Sequence, residues 1–315
     1  MLSFLIRRVI YGVLTIWAIS VVTFMIFFLI PTGDPAVRIA GKSPTPELIA
    51  AINVKYHLKG PLPERYFYTM KELLTGQIKS FNIDAKVVPM IFHALPVTLS
   101  LVMVAATLWL VIGVAIGVKG ARSEGSFLDR WLTIGALIGL SMPTVWLAMV
   151  LIYIFTVKFP IFPAGDYLTI YRGGFIGWLY HLMLPAMTLV IVSAASYALI
   201  SRTNLRSAMN EEWVKTAIAK GIPPERVFLH HIFRLAMIPI VIMFGMDLAF
   251  TLAGAIFTET IFGLPGLGSV LMLGIRNLDL PILLAMTIFG SALIVFFNIV
   301  VDVIQAIIDP RIRLA

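Results

Sequence analysis

An all-α integral membrane protein with six transmembrane helices is the fold class this sequence predicts, on three observations. First, 60% of its 315 residues are hydrophobic and only 13% are charged, at a mean hydropathy of +0.97. A soluble domain runs about 45–50% apolar and about 25% charged. A water-soluble globule of this size could not hide so much apolar surface, and disordered chains are poor in apolar residues. Second, six apolar segments reach the roughly 20 residues that a helix needs to cross a hydrocarbon core about 30 Å thick. Third, Lys and Arg are distributed unevenly between the connections, as they are in membrane proteins of defined orientation.

The six segments are Val9–Ile30, Leu95–Val118, Trp131–Val157, Leu182–Ile200, Ile238–Phe257 and Leu280–Ile308. The first is 22 residues long, longer than the apolar core of a signal peptide, and is expected to be a retained helix. Kinks are expected at Pro143 in the third and near Pro281 in the sixth, because a helix bundle can satisfy the backbone groups that proline frees. Thirteen of the 24 basic residues fall on one side of these spans and three on the other, and the remaining eight lie in the loop 31–94. Long loops largely escape the charge rule, so both termini are expected in the cytoplasm and loop 31–94 outside. The same asymmetry accounts for the net charge of +8 without a nucleic-acid partner. With no cysteine in the chain, disulfides, thiolate metal sites and a cysteine nucleophile are excluded.

The chain then reads as one transmembrane domain, 1–315, with two functional loops. In the outer loop, 31–94, Thr45-Pro46-Glu47 starts a helix, with a cap residue, a first-turn proline and an acid at the positive dipole end. Leu48, Ile49, Ile52 and Tyr56 share one of its faces, and Gly60 ends the run. A second amphipathic helix is expected over Pro63–Leu74, with Tyr66, Phe67, Met70, Leu73 and Leu74 on one stripe. These helices are expected to cap the outer mouth, either contacting a ligand or packing on the bundle. In the inner loop, 201–237, Asn210-Glu211-Glu212 opens a helix that ends at Lys220 and Gly221, a charge order that suits the helix dipole. Pro223-Pro224 forbids its continuation and a second helix can begin near Glu225.

Chemical motifs are scarce. Gly41-Lys42-Ser43 is no P-loop: the required earlier glycine is replaced by Ala36, and Pro44 follows where a helix should start. No other Gly-Lys-Ser/Thr occurs, so any ATP use is expected on a separate protein. The five histidines show no metal spacing, and an intramembrane protease would want a serine–histidine or paired-aspartate set. Asp247, inside the fifth span, is costly in a membrane and is expected to face a path or a partner helix. The segment 261–268, with three glycines and Pro265 among apolar residues, is expected to be an outward loop dipping beside a pore. A short helix from Ser269 to Ile275 should follow.

Several runs in this order resemble one family. They are Arg7-Arg8, Pro31-Thr32-Gly33-Asp34-Pro35 and the run Glu212-Trp213-Val214-Lys215-Thr216-Ala217-Ile218-Ala219-Lys220-Gly221. His231, Arg234, Ala236 and Pro239 follow, then Glu259-x-Ile261-Phe262-x-x-Pro265-Gly266-Leu267-Gly268 and Asp309-Pro310-Arg311-Ile312-Arg313. The sequence resembles the permease subunits of ABC importers in the oligopeptide/dipeptide/nickel group, in their first-permease branch, over nearly the whole chain. It departs from the general family pattern at Lys215, where that pattern has Glu, and at Gly76-Gln77-Ile78-Lys79-Ser80, where the branch usually has Gly-Asp-Leu-Gly-x-Ser.

The resemblance implies a type I ABC importer permease fold in a bacterial or archaeal plasma membrane, with no catalytic residue, cofactor or metal on this chain. It implies four partner chains besides the lipid bilayer: a homologous second permease, two cytoplasmic ATPases carrying ATP and Mg, and an extracytoplasmic substrate-binding protein. Glu212, Trp213, Thr216, Ala217, Ala219, Lys220 and Gly221 are the implied coupling helix to the ATPase. Asp247, Glu259, Pro265, Gly266 and Gly268 are the expected translocation path or gate. Peptides are the expected substrate, with nickel or metal-chelate and oligosaccharide uptake as alternatives. A stand-alone channel or secondary transporter is the rival class, disfavoured because inverted repeats are not evident.

Overall fold

The computed structural model describes residues 2–29, 36–37, 45–55 and 60–308. The sequence features at 31–35, 41–43, Tyr56 and 309–313 lie outside the described residues. The helices are α1 (Leu2–Leu29), α2 (Pro46–Lys55), α3 (Leu62–Leu74), α4 (Val87–Arg122), α5 (Phe127–Ser141), α6 (Thr144–Ile152), α7 (Ile170–Met209), α8 (Glu212–Ala219), α9 (Pro224–Val227), α10 (Phe233–Gly254), α11 (Ile256–Ile261), α12 (Leu267–Arg276) and α13 (Leu280–Ile308). Wider π turns follow α6 at Tyr153–Lys158 and join α9 to α10 at Phe228–Ile232. Among the described residues the one extended pairing is the bridge between Lys79 and Lys86.

Five helical stretches are long and apolar enough to cross a membrane: Ile6–Ile26, Val87–Arg122, Ile170–Met209, Pro224–Leu252 and Leu280–Gln305. The expected third span is not one rod. It is α5 and α6, bent by 102°, and counting the pair as one span brings the total to six. Met142 and Pro143 are both extended, with ψ of 126° and 128°. Proline pushes the residue before it out of the helical region, so two successive residues leave the helix and the expected kink becomes a corner. No kink arises at Pro281, which sits in the first turn of α13, where its missing N–H costs nothing.

Other boundaries also move. α4 begins at Val87 rather than Leu95, and α7 reaches from Ile170 to Met209 rather than from Leu182 to Ile200, with a kink at Gly174, whose backbone leaves the helical region at φ +65°. The inner loop of 201–237 is correspondingly short. α7 continues through its first nine positions, and the second inner helix at Pro224 is the start of the fifth span. Arg202 and Arg206, which by sequence lie just past the expected end of the fourth span, are instead partnered inside the bundle.

The chain forms two compact units, Met1–Pro96 with Pro265–Phe296 and Val97–Leu264 with Phe297–Ala315. In the first unit, α3 packs on α1: the Tyr66 hydroxyl is 2.7 Å from Ser20 Oγ, and its ring meets Phe24 edge-on at 5.3 Å. The expected apolar stripe on α3 is narrower than the sequence implied. Tyr66, Met70 and Leu73 turn inward at helical spacing, while Phe67 and Leu74 are 66% and 86% exposed. Ile78, Val87, Ile91, Leu267, Val270 and Ile282 form the core of this unit. Asp279, almost fully buried, closes it. Its carbonyl starts α13, and its carboxylate accepts from Ser80 Oγ at 2.5 Å, Asn82 N at 3.1 Å and Asn82 Nδ2 at 3.0 Å. That acid satisfies the turn 80–82, which begins at the last residue of the run 76–80 where the chain departs from the resembled branch.

The second unit is centred on α4 and α7. Leu101, Trp109, Leu182, Tyr197, Ile240 and Leu264 are among its buried residues. α4 meets α7 at backbone distance through Gly113 and Gly117. A Cβ on Gly113 would lie 2.5 Å from Tyr197 Cβ, and one on Gly117 2.6 Å from Ser201 Cβ. This is the small-xxx-small packing that lets membrane helices approach closely. On the other flank, α5 meets α7 through Ala136, Ala195 and Ala198.

Candidate functional site

The short helix α8 stands on an apolar platform in the second unit. Ala121, Leu205, Ala208, Val214, Val227, Phe228, Ile232 and Ala236 are buried there together. Val214 is the inward anchor of α8, and Ala217 is half-buried against the same platform. Trp213, Thr216, Ile218, Ala219 and Lys220 face outward. The helix therefore presents a surface beside an anchor, as an amphipathic helix should.

Both ends of α8 are held by local chemistry. Glu212 lies in the first turn, pairs with Lys215 at 2.7 Å, and its carbonyl accepts the Thr216 hydroxyl at 3.0 Å. At the far end Gly221 N–H donates to the Ile218 carbonyl at 2.9 Å and Ile222 N–H to the Ala217 carbonyl at 3.3 Å. With Gly221 at φ +83°, these two bonds make a Schellman motif. Ile222 packs against the platform beside Ala217, which supplies the apolar contact that accompanies this motif.

Two cavities flank the helix. One of about 420 Å³ is lined by Val214, Ile218, Phe228 and Glu225 among others. Arg122 stacks over the Phe228 ring at 3.9 Å and pairs with Glu225 at 2.9 Å at its edge. The other, of about 390 Å³, is lined by Trp213, His230, His231, Arg234, Leu235 and Ile238. His231 meets the Trp213 ring edge-on at 6.4 Å.

The seven expected coupling residues thus lie together in one helix and its cap. The two alanines of this helix do not share a face. Ala217 packs on the helix's own platform, and Ala219 is the small residue that faces outward. Helical geometry separates the two by about 200°, since each residue turns about 100°.

The expected path residues fall in both units. Asp247 and Glu259 belong to the second, and Pro265, Gly266 and Gly268 to the first. Asp247 accepts the Tyr197 hydroxyl at 2.8 Å, joining α10 to α7. Trp109 lies beside both helices, with its ring 6.4 Å from Tyr197 and 6.3 Å from Phe244. Glu259 is fully buried in α11 and accepts Thr98 Oγ1 at 2.6 Å. Gly266 is the N-cap position of α12, and Gly268 is buried in its first turn.

The Asp247 contact makes a prediction. Asparagine keeps an oxygen that accepts from Tyr197, so Asp247→Asn should assemble like the parent protein. Asp247→Ala should lose about 0.5–2 kcal/mol, the range of interhelical hydrogen bonds in membranes. Thermal melting of the detergent-purified complex measures this, and equal melting of all three proteins would remove the hydrogen bond as a reason for the acid. Loss of transport in an Asp247→Asn protein of parental stability would assign the charge to the path.

Sequence reasoning missed a buried acid of the second unit that has several partners. Asp129 accepts Arg202 Nε at 2.6 Å, Arg202 Nη2 at 2.8 Å and Arg206 Nη2 at 2.7 Å. It also accepts Gly125 N–H at 3.3 Å, while its own N–H donates to Ser126 Oγ at 3.2 Å. Ser126 thereby caps α5, while the Asp129 side chain reaches back to the backbone one residue before the cap. The Ser-x-x-Asp spacing ahead of an apolar run was the available signal. Gly113-x-x-x-Gly117 was the signal for the α4–α7 contact.

Comparison with known proteins places this architecture. Residues 109–314 match the family described as binding-protein-dependent transport system inner membrane component, and residues 1–102 match its N-terminal membrane region. A probable peptide ABC transporter permease protein of Sinorhizobium fredii is 32% identical over 311 residues, covering 98% of this chain and 99% of that one. An oligopeptide transport system permease protein of Haemophilus influenzae is 33% identical over 315 residues, covering 99% and 100%. One of Bacillus subtilis is 30% identical over 317 residues, with 99% and 100% covered. A helical membrane architecture matched along its length by such chains leaves one assignment: the chain belongs to the binding-protein-dependent transport system inner membrane components, as a permease subunit of an ABC importer.

Proposed function

We propose that this permease imports peptides, and that it does so in a complex with a homologous second permease, two ATPases docked on α8 and its counterpart, and a binding protein on the outer side. The likeness to peptide and oligopeptide permeases along 98–99% of the chain carries the substrate reading. The exposed face of α8, anchored by Val214 and closed by Gly221, supports the docking reading. The excess of Lys and Arg on the α8 side supports cytoplasmic termini. On that orientation α2 and α3 stand outside, and the exposed Phe67 and Leu74 offer apolar surface for the binding protein. ATP and Mg belong to the ATPases.

Reconstitution tests the substrate. The permease pair, its ATPases and its binding protein are placed in vesicles, and uptake is measured for labelled di- and oligopeptides, nickel chelates and oligosaccharides. ATP-dependent uptake of peptides that requires the binding protein is the expected result. Uptake of nickel or oligosaccharide alone would overturn the peptide reading.

A further inference from the structure

The buried charge cluster around Asp129 lies at the end of the bundle from which α8 emerges. Asp129 sits in the first turn of α5 and is only 4% exposed. Its two arginines occupy the last turns of α7, and Arg206 is six residues before Glu212. Arg206 also donates to the Gly120 carbonyl of α4 at 3.3 Å and pairs with Glu124 at 3.3 Å. One carboxylate therefore joins α5 to α7, and one of its arginines joins both to α4. Charge-assisted bonds in a bidentate arrangement fix orientation as well as distance.

Away from this cluster the same three helices are held by close backbone packing. Gly113 and Gly117 bring α4 onto α7, and a Cβ on Gly139 of α5 would lie 3.3 Å from the Ile191 carbonyl. Packing of this kind has little freedom to deform, because interiors are close-packed and shift between discrete arrangements rather than continuously. The small-residue contacts between α5 and α7 are apolar and carry no directional bond. The Asp129 cluster adds directional, charge-assisted bonds at the end where force from α8 would enter.

We propose that Asp129 is a positioning residue for energy coupling: through Arg202 and Arg206 it makes α5 and α7 move as one body with α8, so that displacement of α8 reaches α5 without loss. The inference rests on the docking of ATPases at α8. It assigns a role to an acid that is buried among residues of its own chain. The alternative is that the cluster only stabilises the fold.

The chain has no cysteine, which allows a direct test in the full complex. Spin labels are attached at Ser207→Cys on α7 and Leu140→Cys on α5, both exposed positions. Their separation is measured nucleotide-free and with ATP trapped. With Asp129 present, one unchanged distance in both states is expected. In Asp129→Asn the distance should differ between the states, and peptide transported per ATP hydrolysed should fall at least tenfold while the ATPases still co-purify.

A distance that changes between states with Asp129 present overturns the inference, as does Asp129→Asn with parental transport per ATP. If Asp129→Asn does not assemble, the distances measured with Asp129 present decide alone. Failure of the docking reading looks different: ATPases that co-purify undiminished after α8 is disrupted would end that reading, whatever the labels show.

Discussion

Gly117→Leu is expected to yield no stable permease, and Gly113→Leu to behave alike. A Cβ at 117 would sit 2.8 Å from the Ala198 carbonyl and 3.0 Å from Arg202 N, and at 113 it would sit 2.8 Å from the Ala194 carbonyl. These obstacles are backbone atoms of α7, which cannot swing aside as a flexible side chain would. Overpacking a well-filled interior costs about 1–3 kcal/mol, and here a whole isobutyl group must enter a helix contact built at glycine distance. Both sites lie in one interface, so the double variant should not be additive. Gly135→Ala and Gly290→Ala are the controls, since nothing lies within 4 Å of the methyl group that either would add. These should be neutral or stabilising by about 0.5–1 kcal/mol, because alanine suits a helix interior better than glycine. Size-exclusion recovery after detergent extraction reads the outcome. A Gly117→Leu protein recovered at parental yield would contradict the close α4–α7 contact.

On the proposed docking at α8, Gly221→Val is expected to weaken ATPase binding while the permease still inserts in the membrane. The position has φ +83° with nothing within 4 Å of its absent Cβ, so the penalty is conformational and not a clash. Holding an L-residue left-handed costs about 1–2 kcal/mol, and a β-branched side chain is the worst case. Release of that strain would break the bonds from Gly221 and Ile222 that close α8. At 1.4 kcal/mol per tenfold, ATPase affinity should fall by about 5–30-fold. Gly221→Asn tolerates the left-handed region and should retain most of the binding. Ala219→Trp should weaken docking through bulk on the outward face, whereas Ala217→Trp should act by disturbing the platform beneath. ATPase co-purification separates these cases, and equal recovery with Gly221→Val and Gly221→Asn would show that the shape of the cap does not matter.

The candidate site was readable where its chemistry is local. The ends of α8 follow from residues 210–224 alone, through acids at its start, glycine at its close and two prolines beyond. The face it presents did not follow, because the platform that Ala217 packs against includes Ile232 and Ala236, which arrive from α10 and the turn before it. Arg202 and Arg206 were legible only as basic residues beyond a span. Their partner stands 73 and 77 positions away, and nothing in the neighbourhood of either arginine announces it.

The sequence by itself determined that this chain is a helical membrane protein, which segments are apolar enough to span, and the family to which its motifs point. Each of those rests on composition, on 3.6-residue periodicity or on short ordered runs, all carried by neighbouring residues. Only the tertiary structure decided that the third span turns through 102°, that α7 extends through Met209, and that Asp129 and Asp279 are buried and satisfied by residues distant in the chain. A charged residue near an apolar segment has the same local signature whether water or an arginine from another helix satisfies it. The difference lies in desolvation and pairing, which exist only once distant parts of the chain have packed.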